Sequence, residues 1–189
     1  MRIIAGRHRG RRLIVPEGSA VRPTSERARE ALFNILAHDG VGTAAALAGG
    51  TVLDAFAGTG AFGLEALSRG AGQAIFIESG RAALAALRHN VAALGETARS
   101  RIIAADACAP PIAPAPAALG FLDPPYDSSL AAGALAALAR AGWLGPGALA
   151  VIEIAAQQRL AAPAGFACLE ERRYGAARFV FLRFTADMP

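Results

Sequence analysis

From residue 51 onward the chain repeats one unit: a short apolar run, a turn of glycine or polar residues, then a stretch with apolar side chains at helical spacing. Residues 51–55, 73–77, 101–105, 117–122 and 148–154 read as strands, and 62–68, 81–94 and 129–140 as helices. A Pro/Ala-rich connection, residues 109–116, stands between the third and fourth strands. Strands joined by helical crossovers run parallel, and the helices cover both faces of the sheet they form. Residues 168–174 and 177–184 flank a tight turn at Gly175, which predicts an antiparallel hairpin. Together these runs predict an α/β fold with a mostly parallel, seven-stranded sheet flanked by helices. In open sheets of this kind ligands bind outside the carboxyl ends of the strands. Chemistry is therefore expected from the residues at those ends.

The first strand runs into Asp54-Ala55-Phe56-Ala57-Gly58-Thr59-Gly60-Ala61-Phe62-Gly63, which holds G-x-G-x-x-G at Gly58, Gly60 and Gly63. Glu78 ends the second strand and Asp106 follows the third. One reading is a dinucleotide site, with the glycines against a pyrophosphate and Glu78 on ribose hydroxyls. Three details favour a different ligand. Four residues intervene before the first glycine, Asp54 puts a carboxylate where a pyrophosphate would be repelled, and Asp106 adds a third acid. Acids after three successive strands suit a cationic, adenosine-containing ligand. S-adenosylmethionine has an amino-acid end, a ribose and an adenine amino group, and so fits them. Taken singly, each acid reads equally well as a helix cap or a strand-end turn.

The fourth strand ends in Asp123-Pro124-Pro125-Tyr126. Proline has no N–H for a sheet ladder and fixes φ, so pairing stops there. The stop leaves a carboxylate, a backbone carbonyl and an aromatic face at the ligand-binding edge. Acceptors beside a stacking ring suit a planar base with an exocyclic amino group, although a plain strand-ending turn uses the same residues.

The amino-terminal segment has a different character. All 19 basic side chains behind the net charge of +4 are arginines, and eight lie in the first 30 residues against three acids. That asymmetry marks an arm for a polyanion, since the guanidinium fork pairs phosphate oxygens two at a time. A solvated basic surface is the plainer alternative. Residues 2–15 alternate loosely around Gly6 and Gly10, as in a short hairpin or extended arm, and 16–23 read as loop. Thr24 or Ser25 then caps a helix with Glu26 in its first turn. Its apolar face is Ala28, Ala31, Leu32, Ile35 and Leu36, which leaves Arg27 and Arg29 for solvent or phosphate. A basic arm and helix (residues 1–37) ahead of the sheet domain (38–189) is the expected organisation.

Several function classes are disfavoured. No apolar run reaches the length of a membrane span, and no apolar segment follows the early arginines as a secretory signal requires. Cys108 and Cys168 match no metal or redox spacing, and His8, His38 and His89 form no ligand pattern, so no metal is expected. The expected setting is cytoplasmic, and the expected state a monomer.

With Asp54–Gly60, Glu78, Asp106 and Asp123–Tyr126 in this order, the chain resembles the class I S-adenosylmethionine-dependent methyltransferases. Within them it resembles the RsmD family. The likeness lies in Arg2-Ile3-Ile4-Ala5-Gly6, Arg9-Gly10-Arg11, Arg22-Pro23-Thr24, Arg27, Arg29-Glu30 and Leu32-Phe33-Asn34. It continues through Leu53–Gly60 and Gly63-Leu64-Glu65-Ala66-Leu67-Ser68-Arg69-Gly70. The resemblance implies a Rossmann-like fold that methylates the N2 amino group of one guanine in 16S ribosomal RNA, within the assembled small subunit. It implies cofactor contacts from Asp54, Ala55, Phe56, Gly58, Gly60, Glu78, Asp106 and Ala107. Catalysis would fall to Asp123, Pro124, Pro125 and Tyr126, and RNA binding to Arg7, Arg9, Arg11, Arg22 and Arg27. In this family a second acid often follows the one ending the second strand. Here Ser79 and Gly80 stand there, leaving the ribose to Glu78 alone.

Other readings stay open at this level. Asp-Pro-Pro-Tyr is shared with adenine-N6 DNA methyltransferases, the glycine loop admits an NAD-dependent oxidoreductase, and a non-enzymatic RNA-binding factor would keep the basic arm.

Overall fold

The computed structural model describes residues 1–16, 26–37, 47–125 and 128–185. The elements in chain order are α1 (Glu26–Ala37), β1 (Thr51–Ala55), α2 (Ala61–Ser68), β2 (Gln73–Glu78) and α3 (Arg81–Ala93). They continue through β3 (Ser100–Ala104), β4 (Ala117–Leu122), α4 (Ser128–Arg140), β5 (Leu144–Ala155), β6 (Phe166–Tyr174) and β7 (Ala177–Phe184). A single turn of 3-10 helix, Thr97–Arg99, leads into β3.

The strands form one seven-stranded sheet in the order β3-β2-β1-β4-β5-β7-β6. Pairing is parallel from β3 through β5, and β7 is antiparallel to both β5 and β6. The order reverses between β1 and β4, so their carboxyl ends lie side by side with no crossover covering them. Alternating side chains supply two cores. Val52, Phe76, Leu119, Phe121, Val151, Phe179 and Phe181 pack with α1, α2 and α3 on one face. Leu53, Ile75, Leu122, Ile152, Val180 and Leu182 pack with α4 and Trp143 on the other.

Two differences from the sequence reading have physical reasons. β5 begins at Leu144, not at residue 148, because Leu144 pairs with Ala117 before the register shifts at Gly145-Pro146-Gly147. That tripeptide lies within the strand, between the paired residues Leu144 and Leu149. In α1, Arg29 is fully buried rather than turned to solvent or phosphate, and Phe33 is buried with it. Residues 17–25, with the expected cap and Arg22, and Tyr126 lie outside the described residues.

Residues 1–16 fold as a small hairpin. Ile3 N–H donates to Arg11 O and Gly10 N–H to Ile3 O, and Arg2 bridges Arg12. Ile3 and Leu13 are buried in the same core as α1 and α2, which fixes the arm to the sheet domain.

Candidate active site and its basic arm

β1 delivers Asp54 one residue before its end, level with Phe121 of β4 and Phe76 of β2. The carboxylate is 2 % exposed, and Oδ2 accepts the Gly63 N–H at 2.9 Å. Burial pushes this carboxyl well above the usual range; the Gly63 N–H opposes the shift, and the nearby charges of Asp123 and Glu78 add to it. The loop that follows is strained. Phe56 has φ 59°, the only positive φ outside glycine among the described residues, at a cost of about 1–2 kcal/mol. Gly63 cannot be larger, because a Cβ would stand 2.3 Å from the Phe76 ring. This third glycine serves the packing of α2 on the sheet.

Glu78 ends β2 and is held by three backbone donors. Its Oε2 accepts Gly58 N–H at 2.7 Å, and its Oε1 accepts Ser79 N–H at 2.9 Å and Gly80 N–H at 2.6 Å. A carboxylate offers about four lone-pair sites, so Oε2 retains acceptor capacity for a hydroxyl. The residues that break the family pattern, Ser79 and Gly80, thus donate the N–H groups that orient the carboxylate. Asp106 lies two residues past β3, exposed, with Oδ1 accepting Cys108 N–H at 2.8 Å, while Ala107 is buried. No arginine pairs with Asp54, Glu78 or Asp106 among the described residues.

Asp123 follows β4, and its N–H reaches Ala55 O at 3.5 Å, the last link to β1 before the prolines end pairing. Because Ala55 pairs with Leu122, Asp123 stands level with Phe56 at the start of the glycine loop. Pro124 is buried and Pro125 exposed. The glycine loop and the Asp-Pro-Pro segment therefore share one edge of the sheet.

The arm docks beside this edge through polar side chains that sequence reasoning passed over. Glu65, fully buried on α2, accepts Ile4 N–H at 2.7 Å, Ala5 N–H at 3.0 Å and Arg69 Nε–H at 2.7 Å. Arg29 Nε lies 4.0 Å from the same carboxylate, and Arg29 Nη2–H donates to Arg2 O at 2.5 Å. Burial draws the Arg29 guanidinium below its ordinary pKa, and the negative charges of Glu65 and Glu26 oppose that. Buried Glu96 gathers Arg7, His8 and Arg99, and Arg11 donates to Ala93 O. Asn90, 1 % exposed, pairs with both Ile14 N–H and Ile14 O and also donates to Thr59 O at 3.0 Å. One amide thus fastens the arm to the glycine loop. Arg9, Arg11, Arg12 and Arg27 are exposed, while Arg7 is half-exposed against Glu96.

This strand order, with acids at three neighbouring strand ends, defines the Rossmann-like class I methyltransferase fold. The solved structure of the Escherichia coli protein yhhF matches it with a TM-score of 0.83 and 33 % identity, covering 99 % of both chains. The chain belongs to the RsmD family, whose model, "Conserved hypothetical protein 95", matches residues 1–183. It is 39 % identical to "Ribosomal RNA small subunit methyltransferase D" of Escherichia coli over 154 residues, 81 % of this chain and 74 % of that protein. The Haemophilus influenzae protein of the same name is 34 % identical over 182 residues, 93 % of this chain and 89 % of the relative.

Proposed function

We propose that the chain transfers a methyl group from S-adenosylmethionine to the N2 amino group of a guanine in 16S ribosomal RNA of the small subunit. The observation that carries this reading is the placement of Asp123 level with the glycine loop, so that amino-group acceptors meet a cofactor edge lined with acids.

The donor set suits that cofactor. Asp54 and Glu78 occupy the Gly63 and Gly58 N–H groups, the donors a pyrophosphate would need, which disfavours a dinucleotide. The carboxylates of Asp54, Glu78 and Asp106 complement an ammonium group, ribose hydroxyls and an adenine amino group. The loop around Ala55, Phe56, Gly58 and Gly60 lies beside them, with only Phe56 O, at 4.0 Å, near a Cβ placed on Gly58. When bound, S-adenosylmethionine supplies an electrophilic methyl carbon on a cationic sulfur.

The chain's own contribution is to hold and charge-match the amino nitrogen. The Asp123 carboxylate and the Pro124 carbonyl accept its two N–H bonds and turn its lone pair toward the methyl carbon. As the N–C bond formed and the S–C bond broke to leave the neutral thioether S-adenosylhomocysteine, the nitrogen would gain positive charge, which the Asp123 carboxylate would offset until the amino proton passed to water. Such positioning contributes up to about 7–11 kcal/mol to a barrier. Pro125 makes the turn rigid, and Tyr126 supplies a stacking face for a base taken out of the RNA stack. Arg7, Arg9, Arg11, Arg22 and Arg27 offset that cost by phosphate contacts, so residues 1–37 serve as the RNA-binding extension of a catalytic unit spanning 38–189. The working unit is a cytoplasmic monomer acting on the assembled subunit.

The test is labelled methyl transfer offered in parallel to unmethylated small subunits, naked 16S RNA and duplex DNA, followed by mapping of the product base. N2-methylguanine in the subunit sample supports the proposal. N6-methyladenine in DNA would replace it with the adenine reading that Asp-Pro-Pro-Tyr also allows.

A further inference from the structure

We propose that Arg173, with Arg178 beside it, forms a second phosphate-binding site for the RNA backbone, on the side of the amino-group clamp away from the arm; this rests on the ribosomal RNA reading above.

Ala156 follows β5 and carries the sheet pairing into the β6–β7 turn, where its N–H donates to Ala176 O at 2.9 Å. Its own carbonyl collects two arginines. Arg173 donates to Ala156 O through Nε–H at 3.3 Å and Nη2–H at 2.8 Å, and Arg178 through Nη2–H at 2.6 Å. The two also stand directly opposite each other, Arg173 on β6 and Arg178 on β7. Like charges so placed on paired strands destabilise. One of the two is answered, since Arg178 Nη1–H donates to Glu171 Oε2 at 2.9 Å. Arg172 is answered in the same way by Glu170 at 2.7 Å. Arg173 meets a neutral carbonyl and has no carboxylate partner among the described residues.

The unspent part of Arg173 suits an anion. A guanidinium carries five N–H donors in a fixed fork. Ala156 O takes the Nε–H and one Nη2–H, which leaves the Nη1 donors and the second Nη2–H. These form the parallel pair that two phosphate oxygens accept. Arg173 is exposed, so a phosphate can reach it, and the bonds to Ala156 O hold it ready.

Its place suits the backbone of the strand that carries the target base. Leu122 pairs with Ile152, so Asp123 stands level with Glu153, and Ala156 lies beyond it by about 10 Å at roughly 3.3 Å per residue. β7 and β6 add about 5 Å each sideways. Such a separation spans a few nucleotides at about 3.4 Å each. The arm docks through α2 and α3 on one side of β4, and β7 and β6 stand on the other in the strand order. Phosphates on both sides of the base are then held while it turns into the clamp.

The experiment measures binding to unmethylated small subunits over a series of potassium chloride concentrations. Each phosphate contact contributes about 0.7–0.9 to the slope of log affinity against log salt. Arg173→Gln should lower the slope by about that amount and weaken binding roughly 5-fold at low salt. Arg173→Lys keeps the charge and should keep the slope. Glu171→Gln removes the carboxylate beside the pair and should tighten binding by about 2- to 5-fold. Arg140→Gln, at the opposite edge of the sheet where α4 leads into β5, should match wild type. S-adenosylhomocysteine affinity, read by calorimetry, should be unchanged in all four. Weaker binding of Arg173→Gln with an unchanged slope would mean that Arg173 only braces Ala156, and would overturn the proposal. If Arg173→Gln fails to fold, the response to Glu171→Gln decides alone: tightening supports the site and its absence overturns it. Wild-type protein with no measurable affinity for subunits or 16S RNA would instead overturn the reading beneath it.

Discussion

Removing the Glu65 carboxylate should undock the arm and unsettle the whole domain. Glu65 is fully buried, as is Arg29, whose Nε lies 4.0 Å away and has no hydrogen-bond partner among the described residues, nor has its Nη1. In Glu65→Ala the Arg29 charge loses its nearest counter-charge, and Ile4 N–H and Ala5 N–H lose their acceptor. Breaking a buried ion pair from one side costs about 3–5 kcal/mol. The two backbone donors add little beyond that, because the arm escapes their penalty by lifting into water. In a domain of this size each kcal/mol lowers Tm by about 2–4 °C, so the expected drop is roughly 6–20 °C. Urea titration followed by circular dichroism measures the first quantity, and brief trypsin treatment reads arm release through cleavage at Arg7, Arg9, Arg11 and Arg12. Adding Arg29→Met should recover much of the loss, since an apolar replacement removes the stranded charge. A Glu65→Ala protein within about 1 kcal/mol of wild type and uncut in the arm would refute this account of the docking.

Other perturbations probe the turn, the clamp and the buried acid. Gly6 has φ 78°, and a Cβ there would stand 1.9 Å from Ser68 O, so Gly6→Ala should destabilise by about 2 kcal/mol or more and loosen the arm in the same protease assay. Asp123→Ala should lower methyl transfer by at least about 100-fold while S-adenosylhomocysteine still binds; full residual turnover would remove Asp123 from the mechanism. The native state raises the Asp54 pKa, so the folded protein binds this proton more tightly than the unfolded chain does. Wild-type stability should therefore fall as pH rises from about 4, the unfolded value, toward the raised native one. Asp54→Asn should escape that fall, and its urea midpoint should gain on wild type as pH rises above about 4; a pH-independent difference would contradict the assignment.

The sheet was legible because its strands are bounded by glycine and proline and differ in period from the helices. Residues 51–55 and 117–122 coincide with β1 and β4, and the acids at 54, 78, 106 and 123 fall at one edge as the topology requires. The docking of the arm was not legible. Helical periodicity assigns a lone arginine to solvent, yet Arg29 is buried because Glu65, on another helix, waits for it across the fold. Glu65, the one charged residue in the helix Ala61–Ser68, was a usable signal. Pairings of this kind depend on distances between elements, which local patterns do not encode.

The partners that hold the arm also set when it can take shape during synthesis. Its bonds to Glu65, Asn90 and Glu96 reach 60 to 89 positions further along the chain. Residues 1–16 are made before the elements they grip, and apart from Arg29 and Glu26 of α1 those partners are not in place until α2 and α3 have followed. For that interval the arm is an arginine-rich segment without most of its partners, and its closure is among the last long-range contacts to form. Protection of the Ile4 and Ala5 amides from hydrogen exchange is therefore a late-stage marker for the maturing chain.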